Sequence, residues 1–192
     1  TIIWLAKARR YEQVIAITRS FSSFFRISLS RGRDWITVEE ELEHVRSYLA
    51  IQKIRYRDIL DYEIDGDSDI AKSQVLKLLL QPLVENALYH GIKNKRGPGF
   101  ISVKGWKENG YLCFSVEDNG MGMTVEHLAH IRNQIDGEHD PETLSDVYGL
   151  YNVNKRLKLY HGPGTQLDIS SQHTIGTKVS FFLEPSFDRT RN

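Results

Sequence analysis

The amino-acid sequence predicts an α/β protein in which a helical segment precedes a two-layer α/β sandwich. Apolar residues recur every three or four positions over residues 2–29, which is the spacing of a helical stripe. Beyond residue 58, short alternating runs are interleaved with helical stretches and joined by hairpin-like turns such as Glu108-Asn109-Gly110. We therefore predict a helical segment, residues 1–57, followed by a second domain, residues 58–192.

The helical segment is predicted to contain one or two helices over residues 2–29 and another that continues to about residue 54. Thr37, followed three positions later by Glu40, is a capping box that predicts where the later helix begins. His44 has the phase of the exposed face of that helix. This phase predicts a surface residue rather than a phosphate acceptor.

The second domain is predicted to begin with an edge strand over residues 60–64 and a helix from about Val75 to His90. Strands over residues 100–106 and 111–117 follow, and then a helix over residues 125–135. A loop to Asp146 leads into a helix over residues 150–160. The last two strands are predicted at residues 167–171 and 178–183.

Composition excludes several classes of function. Lys+Arg and Asp+Glu both number 25, so no overall field attracts the chain to nucleic acid or to an anionic membrane, and net charge alone does not decide its partners. We expect no nucleic-acid partner. The single cysteine, Cys113, excludes an internal disulfide and a multi-cysteine metal site. No stretch of the sequence approaches the roughly 20 apolar residues that span a bilayer. Any membrane attachment is therefore expected through segments N-terminal to these residues.

The first of three chemical motifs is LLLQPLVENALYHG, residues 78–91. Its helical phase directs leucines to the core and places Glu85, Asn86, Tyr89 and His90 on a more polar side. A carboxylate beside an amide suits a hydrated magnesium ion that is held through oxygen ligands. The same pair is also common on exposed helix faces, so this motif alone leaves both interpretations open.

The second motif is SVEDNGMGM, residues 115–123, in which an alternating strand ends at Asp118. Gly120 and Gly122, one residue apart, allow the backbone to turn sharply and to approach a flat ligand. The Asp118 carboxylate can accept a hydrogen bond from an amino group such as that of adenine. A plain Asn-Gly hairpin turn explains the same residues equally well.

The third motif is DVYGLYNVNKRLKLYHG, residues 146–162. Gly149 ends a loop and opens a helix whose first backbone N–H groups can receive phosphates. A glycine before a helix is otherwise simply a cap. Further on, Gly176 and Thr177 introduce the final strand.

These motifs, in this order, resemble the N box and glycine boxes of the ATPase superfamily that contains gyrase, MutL, the ninety-kilodalton heat-shock chaperone and histidine kinases. LQPLVENALYHGI, DNGMGM and GLYNVNKRLKLYHG resemble the LytS/YesM branch of sensor histidine kinases, as does the upstream ISLSRGRDWITVEEELEHVRSYLAIQKIRY. The resemblance covers nearly the whole chain. It implies the Bergerat fold, in which a mixed, mostly antiparallel sheet is layered on helices and ATP lies under a mobile lid.

The resemblance also implies a role for individual residues. Asn86 is the expected Mg²⁺ ligand, with Glu85 orienting water around the ion and both acting in catalysis with His90. The residues expected around the ATP phosphates or in the lid and its helix are Tyr89, His90, Gly149, Leu150, Asn152 and Arg156. The residues expected around adenine are Asp118, Gly120, Gly122 and Thr177.

The implied reaction is transfer of the γ-phosphoryl group of Mg²⁺-ATP to a histidine, and from there to an aspartate of a response regulator. The implied setting is the cytoplasmic domain of a bacterial protein that is anchored in the inner membrane and homodimeric at full length. In this branch the acceptor histidine lies in a motif of the form HFLFN. That motif does not occur in these residues, so we expect them to bind ATP without phosphorylating themselves at the usual site.

Two alternative functions depend on single residues, and one of them stays open while the other is disfavoured. Val147 stands where the lid pattern has a glycine, and valine does not readily adopt positive φ. A degenerate module that binds nucleotide or a partner without phosphotransfer is therefore an alternative. An ATP-hydrolysing clamp of the gyrase or MutL type is disfavoured, because Pro82 stands where that class has its catalytic glutamate.

Overall fold

The structure is a computed structural model that describes residues 1–137 and 147–184. The helices within these ranges are α1 (Ile2–Lys7), α2 (Tyr11–Leu29), α3 (Val38–Arg55), α4 (Leu80–Asn86), α5 (Val125–Asp136) and α6 (Tyr148–His161). The strands are β1 (Trp35–Thr37), β2 (Leu60–Gly66), β3 (Gln74–Leu76), β4 (Gly99–Glu108), β5 (Tyr111–Asp118), β6 (Asp168–Gln172) and β7 (Gly176–Leu183). A π-helical turn, Ala87–Ile92, continues α4.

The main sheet has five strands in the order β2-β4-β5-β7-β6. β2 pairs with β4 in parallel and the other neighbours are antiparallel, so the predicted edge strand near residue 60 is confirmed. Asn109 and Gly110 have φ of 51° and 85°, as a two-residue hairpin turn between β4 and β5 requires. The inward faces of these strands share one apolar core with α4, α5 and α6. The two-layer α/β architecture is therefore confirmed.

The same core extends into the helical segment. β1 pairs antiparallel with β3, and Val38, Val45 and Leu49 of α3 belong to the apolar cluster that contains Leu83 of α4. The predicted boundary at residue 57 stays a prediction, but residues on its two sides are packed together. Helix α3 therefore belongs to the same apolar core as α4.

Two sequence expectations about local structure are wrong. His44 is fully buried, because α2 covers that side of α3; its ring stacks on Phe24 at 4.5 Å and its Nε2 lies 2.8 Å from the Ser28 hydroxyl. Burial lowers its pKa to about 4. The predicted helix start at Val75 falls in β3 instead, since an apolar run that is buried in either form has no distinguishing period. Leu78, with φ of 62°, turns the chain into α4.

The capping box at the start of α3 is confirmed. The Glu40 N–H donates to Thr37 Oγ1 at 3.1 Å, and the Thr37 N–H donates to Glu40 Oε2 at 2.8 Å. Thr37→Ala leaves the Glu40 N–H without this acceptor, so we expect the free energy of unfolding to fall by about 1 kcal/mol. Urea denaturation measures the change. Thr37→Ser is the control and keeps the wild-type value, whereas an unchanged midpoint in Thr37→Ala contradicts the assignment.

Candidate functional site

A cavity of about 430 Å³ lies where α4 and its π-helical turn, the end of β5 and α5 meet. This volume is within the usual range for small-molecule sites. Of the site residues predicted from the sequence, the following line the cavity: Asn86, His90, Asp118, Gly122 and Thr177. The structure therefore brings residues of the first motif, residues of the second motif and the start of the last strand together on one concave surface.

Asp118 is the buried anionic group of this cavity, with 6% of its surface exposed. Its Oδ1 accepts a hydrogen bond from the Gly120 N–H at 2.7 Å. Burial raises its pKa to about 6, while the N–H groups of Gly120 and Thr177 oppose the rise. At pH values well above 6 the carboxylate is therefore ionised, and it keeps acceptor positions that these two donors do not occupy.

The backbone beside Asp118 is packed so closely that only glycine fits. A Cβ on Gly91 would collide with the Asp118 carboxylate, and a Cβ on Gly120 would overlap the backbone of Gly91. Gly91 was not among the predicted site residues, although it ends the first motif. Its importance depends on Asp118, which lies 27 residues further along the chain.

The glycine loop after Asp118 is a connection from β5 to α5, so the plain hairpin alternative is wrong. Gly122 has φ of 58°, and a Cβ there would overlap the carbonyl of Gln172. The Met121 N–H donates to the Gly91 carbonyl at 3.2 Å, and the Met121 carbonyl accepts from the Thr174 N–H at 2.6 Å. The loop is thereby fixed to both neighbouring walls of the cavity.

Thr177 is held by a neighbour that the sequence patterns did not single out. The Ser171 hydroxyl lies 2.9 Å from the Thr177 hydroxyl and accepts from the Met123 N–H at 2.9 Å. Ser171 therefore connects the last two strands to the glycine loop. The sequence does not predict this contact, because Ser171 and Thr177 face each other only through the pairing of β6 with β7.

Asn86 is the last residue of α4 and is half-buried at the cavity wall. The π-helical turn that follows it places His90, which is exposed, on the same wall. Single π-helical turns inside helices occur often at functional sites. An amide and an imidazole are thus presented together, about one turn apart, at the end of the cavity formed by α4.

Glu85 and Tyr89 lie outside the cavity lining, toward α3. Glu85 Oε1 accepts from Gln81 Nε2 at 2.8 Å, and the Lys93 ammonium lies 4.5 Å from the centre of the Tyr89 ring. Burial, followed by the charge of Glu85, raises the pKa of Tyr48 on α3. Their predicted contacts with water and phosphate stay predictions from the resemblance.

The start of α6 contains the described part of the predicted lid. Val147 lines the cavity with φ of −115°, a conformation that valine adopts without the positive φ open to glycine. Gly149 is the second residue of α6, and Leu150 is buried in the core with 1% exposure. Positions 138–146 of the predicted loop up to Asp146 lie outside the described residues.

Other residues at the cavity and around it were not predicted from the sequence. Three further imidazoles line it: His127 and His130 from α5, and His173 from the β6–β7 turn. The i, i+3 spacing of the first pair on a helix after the glycine loop was the available signal. Arg156 lies on α6, the helix after the lid, as the resemblance implies, and its guanidinium donates to the carbonyls of Lys77 and Leu78. Asn152 is half-buried on α6.

The comparisons with known proteins agree with this geometry. The model of the family described as histidine kinase-, DNA gyrase B- and HSP90-like ATPase matches residues 71–186. The chain belongs to this ATPase family. A histidine kinase family model also matches residues 1–60. In the order of these two matches the chain is similar to the ATP-binding catalytic region of histidine kinases.

Curated relatives support the LytS/YesM resemblance. The chain is 33% identical over 179 residues to the sensor histidine kinase YesM of Bacillus subtilis, covering 93% of this chain and 29% of that protein. It is 27% identical over 175 residues to the sensor histidine kinase BtsS of Escherichia coli, covering 91% of this chain and 28% of that protein. The chain thus spans less than a third of the length of these relatives.

Solved structures confirm the fold. The histidine kinase domain of the blue-light activated histidine kinase from Erythrobacter litoralis EL346 superposes with a TM-score of 0.57 at 16% identity, covering 94% of this chain and 83% of that one. The catalytic domain of the histidine kinase ThkA gives 0.58 at 13% identity, covering 80% and 97%. In residues 1–137 and 147–184, every helix is too short or too polar to cross a bilayer.

Proposed function

We propose that Mg²⁺-ATP binds in this cavity with adenine against Asp118 and the phosphates toward Asn86, and that the γ-phosphoryl group is transferred to a histidine of the parent protein. The observation that carries the proposal is the buried, ionised Asp118 at one side of a cavity whose other side presents Asn86 and His90. In the further step, an aspartate of a response regulator receives the phosphoryl group.

The adenine end is supported by the chemistry of Asp118. Its free acceptor positions suit the amino group of adenine, while the closely packed backbone of Gly91 and Gly120 leaves no room for a side chain there. Gly122 and Thr177 then lie beside the base. A buried acceptor of this kind discriminates strongly against a base that cannot donate to it.

The phosphate end fits a magnesium ion that is only partly held by protein. Among residues 1–137 and 147–184, no cluster of three or more His, Cys, Asp or Glu side chains could hold a metal. Mg²⁺ commonly keeps several waters and takes its remaining ligands from substrate phosphates and one or two side-chain oxygens. The Asn86 amide oxygen suits that role, and His90 can donate to a phosphate oxygen.

Charge at the cavity supports a need for the cation. Apart from imidazoles, Asp118 carries the one ionisable side chain among the described residues that line the cavity. Neutralisation of a triphosphate therefore falls to Mg²⁺ and to the first N–H groups of α6, whose N-cap residue, Val147, lines the cavity. When bound, Mg²⁺ supplies charge stabilisation for the transferred group.

The transfer itself requires positioning rather than a protein nucleophile inside the cavity. The bond between the γ-phosphorus and the bridging oxygen breaks, a bond to the histidine nitrogen forms, and ADP leaves. The chain's own residues orient the base and the metal. We also propose that the parent protein acts as a homodimer held at the inner membrane by segments other than this chain, with the ATP site on the cytoplasmic side.

Incubation of the full-length parent with γ-labelled ATP and Mg²⁺ tests the proposal. On the full-length parent we expect an acid-labile, base-stable label, as phosphohistidine gives. We also expect the present chain to transfer the labelled phosphoryl group from ATP to a separately supplied acceptor domain. Asn86→Ala is expected to lower both by at least about 100-fold. Saturable ATP binding without any label transfer would instead favour the degenerate nucleotide-binding module.

A further inference from the structure

In the turn that leads into α4, residues 77–80, side chains from other helices bind both the N–H groups and the carbonyl groups of the backbone. Leu78 has φ of 62°, a conformation that an L-residue with a side chain adopts only at a cost. The N-cap residue of α4, Leu79, provides no side-chain cap. The first N–H groups of a helix have no partner within it, so this buried helix start needs acceptors from elsewhere.

Glu41 of α3 supplies those acceptors. Its Oε1 accepts from the N–H groups of Leu79 and Leu80, both at 2.8 Å, and its Oε2 accepts from the Leu78 N–H at 2.9 Å. The side chain is 1% exposed. Burial raises the pKa of Glu41, while the three N–H donors and the charge of Arg156 oppose that rise. Three backbone N–H donors directed at one carboxyl group match its two oxygens as acceptors.

Arg156 of α6 holds the opposite side of the same turn. Its guanidinium donates to the Lys77 carbonyl at 2.7 Å and to the Leu78 carbonyl at 3.1 Å. A planar guanidinium that contacts two carbonyls fixes direction as well as distance. Three helices therefore meet at one turn: α3 through Glu41, α6 through Arg156, and α4, which begins there.

The turn lies directly ahead of the proposed metal ligand. α4 runs only from Leu80 to Asn86, about two helical turns, so a tilt at its start moves its last residue. Glu41 does not line the cavity, so any effect it has on nucleotide is indirect, and α4 is the element whose start it binds and whose last residue lines the cavity. A carboxylate that merely stabilised the fold would alter stability without altering affinity in the folded protein.

We propose that Glu41 is a positioning residue, which orients α4 so that Asn86 meets Mg²⁺-ATP and which makes the helical segment and the ATP site move as one unit. This inference rests on the proposed function, because it assumes that nucleotide occupies the cavity. It assigns α3 a mechanical part in the site although none of its residues lines the cavity.

Glu41→Gln tests the proposal, because glutamine keeps the size but offers one acceptor oxygen to three buried donors. We expect Mg²⁺-ATP affinity to fall at least about tenfold, the scale on which supporting residues affect metal sites. Val45→Ala is the matched control on the same helix; Val45 is fully buried in the core and the change lowers the melting temperature while ATP affinity stays at the wild-type value. Both variants are titrated where circular dichroism shows them folded.

Amide hydrogen exchange separates this inference from the proposed function. Glu41→Gln is expected to speed exchange selectively over residues 80–92 without nucleotide, and Val45→Ala is not. If the wild type binds no ATP, the proposed function fails, and the inference with it. If the wild type binds but Glu41→Gln binds equally well, or leaves exchange over residues 80–92 unchanged, Glu41 only stabilises the fold and the inference is wrong.

Arg156→Lys provides a second variant should Glu41→Gln fold poorly. It keeps the charge but loses the two-carbonyl contact, so we expect weaker Mg²⁺-ATP binding and faster exchange over the same residues. Since both side chains act on one turn, the combined variant is expected to lose less affinity than the sum of the single changes. Wild-type affinity and exchange in Arg156→Lys would overturn the two-sided clamp.

Discussion

Asp118→Asn is expected to lower ATP affinity by about 10- to 100-fold, the range that corresponds to loss of one hydrogen bond to a charged group. The charged acceptor for the adenine amino group is replaced by an amide whose single oxygen already faces the Gly120 N–H. Calorimetric titration with ATP measures the loss. Asp65→Asn, an exposed change on β2, is the control and keeps wild-type affinity. Wild-type affinity in Asp118→Asn would remove adenine from this position.

The same substitution lowers ATP affinity but is expected to raise the free energy of unfolding relative to the wild type at high pH. The folded-state pKa of Asp118, about 6, is above its ordinary value of 3.8, so the folded protein binds this proton more tightly. The resulting stability is present below pH 3.8 and is lost as the pH rises through 6, a change of up to about 3 kcal/mol. Urea unfolding of wild type and Asp118→Asn from pH 4 to 8 isolates this contribution. Parallel pH profiles would contradict the raised pKa.

Asn86→Ala is expected to remove the Mg²⁺-dependent part of ATP affinity and to lower phosphotransfer by at least about 100-fold. Alanine removes the one side-chain oxygen that we assign to the metal, while the adenine contacts of Asp118 are untouched. ATP affinity measured with a chelator in place of Mg²⁺ should therefore equal that of the wild type.

The control for Asn86→Ala is Asn133→Ala, which changes the same residue type at an exposed position of α5. It should retain the full Mg²⁺ dependence. If Asn86→Ala also retained it, the metal would be held elsewhere and the orientation of the phosphates toward α4 would be wrong. Equal loss with and without Mg²⁺ would indicate that Asn86 contacts nucleotide rather than metal.

Local chemistry explains which parts of the fold were predictable. The capping box at Thr37, the Asn109-Gly110 turn and the alternating strands β4 and β5 each depend on residues close in sequence, and all are confirmed. The start of α4 was missed because residues 75–80 are apolar throughout most of their length, so neither a helical nor a strand period is visible. The burial of His44 is not predicted by local sequence, because Ser28, which contacts it from the covering helix α2, lies 16 positions earlier in the chain.

The candidate site divides in the same way. Asp118, Gly122 and Asn86 belong to contiguous motifs, and the resemblance of these motifs to the ATPase superfamily is what predicts them as site residues. Gly91 gains its role only from the approach of Asp118, and His173 reaches the cavity only because β6 and β7 pair. Glu41 gave no signal at all, since an acidic residue in the first turn of a helix predicts a solvated position. Tertiary contacts alone turn it toward α4.

The most direct test of ATP binding at this cavity is calorimetric titration of the unmodified chain with ATP, once with Mg²⁺ and once with a chelator. We expect one saturable site with Kd below about 1 mM in Mg²⁺ and weaker binding without it. Absence of saturable binding at millimolar ATP in the presence of Mg²⁺ would contradict the assignment of this cavity as an ATP site.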